Sequence, residues 1–113
     1  MKTRADLQDT LEAIFAKWAS DIGYHYSNRR VYYQPPQSIN LSYPCILYDL
    51  DMIRKIHADD IGYKKDYRYS ITIIDKDPDS TLHEYVDALP YVSFNRAYKA
   101  DNLYHYVYTL YLK

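Results

Sequence analysis

The stretch Leu103-Tyr104-His105-Tyr106-Val107-Tyr108-Thr109-Leu110-Tyr111, followed by Leu112, decides the reading of the fold. In an extended chain successive side chains alternate sides. Tyr104, Tyr106, Tyr108, Leu110 and Leu112 therefore share one face, and His105, Val107, Thr109 and Tyr111 share the other. Both faces are largely apolar or aromatic. Such a strand suits the middle of a sheet, or an edge that a partner subunit covers. Just upstream, Lys99-Ala100-Asp101-Asn102 has the chemistry of a turn, so Tyr91-Val92-Ser93-Phe94 is expected to pair back as a hairpin.

Working outward, Leu82, Tyr85, Val86 and Leu89 fit one short helix that ends before Pro90. The turn Asp75-Lys76-Asp77-Pro78-Asp79-Ser80 precedes it, with Asp79 or Ser80 available as its cap. Tyr67, Tyr69, Ile71 and Ile73 alternate with Arg68, Ser70 and Thr72, the period of a strand. Tyr43-Pro44-Cys45-Ile46-Leu47-Tyr48 opens its partner, which runs on through Arg54 and Lys55 to a turn at Asp59-Asp60-Ile61-Gly62. The two make a long hairpin whose tip leaves the core. Val31-Tyr32-Tyr33 is a short strand stopped by Pro35-Pro36, because proline lacks the amide donor that a ladder needs. At the start, Leu7, Leu11, Ile14, Phe15 and Trp18 trace one stripe of a helix over 4–20, with Thr3 and Asp6 as a capping box and Gly23 as a stop.

The expected order is α-β-β-β-α-β-β. It forms an α+β domain in which a single-layer, antiparallel-rich sheet is covered on one face by two helices. At 113 residues the chain is read as a single domain, 1–113. Sixteen tyrosines against two phenylalanines and one tryptophan set it apart. Tyrosine suits half-buried strand faces and is enriched at protein interfaces. Aromatics interleaved with basic residues could instead stack on single-stranded nucleic acid, but the charge flanking these is balanced. Net charge is −1, which argues against a dedicated nucleic-acid binder. The two glycines, Gly23 and Gly62, leave no glycine-built phosphate loop. Cys45 is the lone cysteine, so an intrachain disulfide and an all-cysteine metal site are excluded. The first residues do not read as a signal peptide, no apolar run approaches the ~20 residues of a membrane span, and synthesis in a reducing cytoplasm fits.

Catalytic constellations are weak. Asp75, Asp77 and Asp79 are spaced like the start of a calcium loop, but Ser80 and Val86 stand where glycine and a bidentate glutamate are required. His25, His57, His83 and His105 have no ligand spacing. Asp49 and Asp51 would share a strand face, as in a Mg²⁺-dependent nuclease, without a set of further acids and a lysine to complete it. Glu84 and Asp87 read as the solvated face of the second helix, and Cys45 as a buried small hydrophobe. No catalytic residue, cofactor or metal is expected, and the chain is read as a non-enzyme.

Three stretches together resemble a known family. Val31-Tyr32-Tyr33-Gln34-Pro35-Pro36 with Tyr43-Pro44-Cys45-Ile46-Leu47-Tyr48 is similar to the opening of siphophage tail terminator (tail completion, head–tail joining) proteins. The run from Tyr69 to Ser80 is similar to their centre, and Leu89-Pro90-Tyr91-Val92-Ser93-Phe94-Asn95-Arg96 with Ala100-Asp101-Asn102-Leu103-Tyr104-His105-Tyr106-Val107-Tyr108 to their end. The resemblance covers roughly residues 30–112 in matching order. It implies a tail-terminator-like fold and a virion protein that stops tail-tube growth and joins the tail to the head. It also implies a ring homo-oligomer, generally a hexamer, between the tail tube protein and the head–tail connector or head-closure protein. DNA would pass through its pore without specific binding, and no membrane is involved. Expected contact residues are Arg54, Lys55, Tyr63, Lys64 and Lys65 around the long hairpin's tip, and Tyr104, Tyr106 and Tyr108 on the last strand. Neighbouring alternatives are a neck or head-closure adaptor on the connector side, a nucleic-acid-binding accessory protein, and a host-directed interaction protein.

Overall fold

A computed structural model describes residues 3–27, 29–35, 41–58 and 62–112, with the backbone alone at 56–58 and 62–64. Its elements are α1 (Arg4–Ile22), β1 (Val31–Tyr33), β2 (Cys45–Ala58), β3 (Gly62–Asp75), α2 (Leu82–Asp87), β4 (Val92–Ala100) and β5 (Leu103–Leu112). The order is the expected one.

Local chemistry sets α1. The Asp6 amide donates to Thr3 Oγ1 at 3.2 Å and the Thr3 amide to Asp6 Oδ2 at 3.3 Å, closing the capping box. Gly23 ends the helix with φ 73°, a left-handed conformation that costs glycine nothing. One stripe, Leu7, Leu11, Phe15, Trp18 and Ala19, is buried, and Ile14 flanks it. Trp18 Nε1 donates to Thr81 Oγ1 at 3.1 Å, which fastens α1 to the start of α2. In α2, Leu82 and Val86 are buried. The Ser80 hydroxyl accepts the Leu82 amide at 3.4 Å, while Thr81 holds the cap position without a side-chain bond to the helix backbone.

The five strands form one sheet in the order β1-β2-β3-β5-β4. Three pairings are antiparallel, and β1 runs parallel to β2 with Val31 opposite Ile46, so the sheet is mixed. Both helices cover the face that carries Ile46, Tyr48, Tyr69, Ile71, Ile73, Tyr108 and Leu110. β5 lies between β3 and β4, which accounts for its two apolar faces. On the far face Cys45 and Ile74 are opposite one another and both buried.

β4 outruns its sequence signal, extending past Phe94 to Ala100. It is exposed along most of its length and its register shifts between Phe94 and Arg96, so no period-two pattern marks it. Backbone pairing with β5 holds it. The link to β5 is the two-residue turn Asp101-Asn102, with φ 53° and 61°, the left-handed pair that a tight hairpin requires. At the opposite end β5 stops beside Tyr67, whereas β2 and β3 continue. Residues 54–58 and 62–66 thus form a two-stranded arm, and the molecule measures 53 × 27 × 24 Å. The turn expected at Asp59-Asp60-Ile61 falls outside the described residues.

Candidate interaction surfaces

The arm is fastened at its root. Arg54 Nη2 meets Asp66 Oδ2 at 2.9 Å, and Asp66 is only 3 % exposed. The same guanidinium lies 5.9 Å from the centroid of the Tyr111 ring, a cation–π distance. One step along, Arg68 Nε donates to Asp51 Oδ2 at 2.7 Å, beside the register shift between Leu50 and Met52. Arg54 is therefore a brace between arm and sheet. On the other side of the arm, Ile53 stands opposite Tyr67 and Lys55 opposite Lys65. All four are exposed, and period-two alternation puts them on one face. Tyr67, with Tyr69, Leu112, Thr3 and Arg4, also lines a recess of about 240 Å³. Tyr63 and Lys64 lie on the backbone of β3, with their side chains outside those described.

The three expected tyrosines of β5 have different surroundings. Tyr108 is a core residue, 2 % exposed, with the Phe94 ring edge-on at 5.4 Å. Tyr106 is half-buried and stacked on His83, rings 4.1 Å apart and 7° from parallel. Tyr104 is half-buried with Lys99 Nζ 5.4 Å from its ring centroid. Tyr106 and Tyr108 floor a groove of about 340 Å³ between α2 and β4, whose other walls are His83, Glu84, Asp87 and Phe94. Burial pushes the Tyr108 hydroxyl up, and the charge of Asp87, the neighbouring Tyr106 and the charge of Glu84 add to it. Phe94 is 55 % exposed and Tyr91, just before β4, 64 %. Tyr91 holds φ 62°, costly for a bulky residue, while its carbonyl accepts the Tyr111 amide at 3.2 Å.

These surfaces do not merge. Tyr106 and Tyr108 pair with Ile73 and Ile71, six and four residues along β3 from Tyr67, or about 20 and 13 Å at the usual strand rise, and β5 stands between β3 and β4. The chain thus carries two separate patches, an arm with an apolar root and lysines, and an aromatic groove with acids on its rim. His83, Glu84, Asp87 and Phe94 are the groove residues outside the contacts expected from the sequence. The three-residue spacing of Glu84 and Asp87 was visible, but Phe94 joins them only through the pairing of β4 with β5.

Asp75, Asp77, Cys45 and Tyr48 each have structural surroundings. Asp75 Oδ1 accepts the Asp77 amide at 3.1 Å and Asp77 Oδ1 the Asp79 amide at 2.9 Å, so these acids build the turn. Burial pushes the Cys45 thiol up to about 12, with Asp75 adding to it and Arg30 opposing. The Tyr48 hydroxyl, also raised mainly by burial, donates to Gln8 Oε1 and accepts from Arg4 Nη1 at 3.0 Å. Among the described residues no group of three or more His, Cys, Asp or Glu could hold a metal ion. No helix among them is long and apolar enough to cross a membrane.

A scan against protein-family models finds no match to this chain, and a search of curated proteins finds none either.

Proposed function

We propose that this chain is a structural subunit of a long-tailed phage or prophage virion, a tail terminator that caps the tail tube and forms the head–tail joining interface. The observation that carries the reading is the ordered resemblance over residues 30–112, whose stretches fall in turn on β1, the start of β2, the second half of β3, β4 and β5. The sheet is thus the part of the chain that bears the likeness. A ring needs heterologous contacts, in which one patch meets a different patch on the next subunit. Two patches of different character on different strands of one sheet are suitable material. A net charge of −1 suits a pore through which DNA slides without being gripped. On this reading the partners are further copies of the chain, the tube protein below and the connector or head-closure protein above.

The test is electron microscopy and native mass spectrometry of the purified chain, alone and mixed with tube protein from the same genome. Closed rings seated on tube ends are expected, of about six subunits as the resemblance implies. A chain that stays monomeric in both preparations, at concentrations where the tube protein polymerises, removes the proposal.

A further inference from the structure

We propose that the groove between α2 and β4 receives the root of the β2–β3 arm from a second copy of this chain. The inference rests on reading the chain as a self-assembling subunit and names the contact by which it would assemble. The two surfaces match in both kind and arrangement. On the arm, Ile53 and Tyr67 form an apolar pair, 48 % and 36 % exposed, and Lys55 and Lys65 follow on the same face. In the groove, Phe94 and Tyr106 offer aromatic surface, and Glu84 and Asp87 stand exposed above it. Neither acid makes an ion pair among the described residues. Docking would set apolar against apolar and lysine against carboxylate, the pattern of a packed centre with a polar rim.

Sheet order makes the contact intermolecular. The arm grows from β2 and β3, past the end of β5, while the groove lies between α2 and β4, beside the middle of β5 and across that strand from β3. One subunit cannot fold its own arm root into its own groove. It can offer the arm to one neighbour and the groove to another, so each subunit is both donor and acceptor.

Charge exchange tests this directly. The variant K55E/K65E carries an acidic arm and an acidic groove, and the variant E84K/D87K carries a basic arm and a basic groove. All four positions are exposed, and circular dichroism checks that both variants fold. Sedimentation velocity of each alone should show self-association weakened about tenfold or more, since two rim pairs change from attractive to repulsive. Mixing the variants should restore assembly, because each arm then meets a groove of opposite charge. Phe94→Ser should weaken association in an otherwise normal fold. If the wild-type chain forms rings that both reversals leave intact, or if the mixture fails to associate, this interface is overturned while the ring reading stands. If the wild-type chain remains monomeric alone and with tube protein, the interface and the proposed function fall together.

Discussion

Cys45 shows how a single residue reports on the far face of the sheet. Its side chain is fully buried beside Ile74, on the side that the helices do not cover. Burial moves its thiol from 9.0 to about 12, so the folded chain prefers the protonated form. That preference supports the fold at pH values below 9 and is lost as pH climbs from 9 toward 12. The native chain should therefore resist a thiol reagent at pH 8 and react fully once unfolded in guanidinium. Rapid labelling of the folded chain would show that the far face is open. Arg54 teaches a different lesson about single residues. Its guanidinium meets Asp66 and the Tyr111 ring while its side chain stays 52 % exposed, so it braces the arm and still presents charge outward.

At the scale of elements, α1 is the most self-sufficient. Gly23→Ala should cost about 1 kcal/mol in thermal or chemical denaturation, because a side chain is strained at φ 73° although nothing stands within 4 Å of it. An unchanged midpoint would mean the helix ends differently. The helix was legible because its signals are local: Thr3 and Asp6 at one end, a stripe of apolar residues, and Gly23 at the other. The Tyr67–Ile73 alternation and the Asp101-Asn102 turn were legible for the same reason. The parallel pairing of β1 with β2 was not, because it joins Val31 to Ile46 across a long connection and leaves no periodic trace. The full length of β4 is not legible because an exposed edge strand needs no apolar alternation. The candidate surfaces divided in the same way. The arm could be read from its charged run, whereas the groove exists only once α2 has been laid beside β4 and β5.

For the whole molecule, the main contrast is between a sheet held from several sides and an arm held from one. Ile71 and Ile73 are buried and flanked by strands on both sides. As strands, residues 54–58 and 62–66 pair only with each other among the described residues, and a lone two-stranded ribbon is marginal in water. In hydrogen exchange on the isolated chain, the cross-strand amides of the arm should exchange roughly a hundredfold or more faster than those of Ile71 and Ile73. Equal protection would mean that the arm is as firmly held as the core. If the arm docks in a neighbour, its amides should slow on assembly, and exchange then reads the contact without any substitution.

The edge formed by β4 has a consequence for handling the protein. A nine-residue strand that carries exposed Phe94 and Tyr98 is a template on which further chains could pair without limit. The register shift between Phe94 and Arg96 breaks its straight run, and the charges of Arg96 and Lys99 repel a like edge brought alongside. That edge is thus guarded by a kink and two cations. A variant without them should be prone to edge-to-edge pairing into fibres.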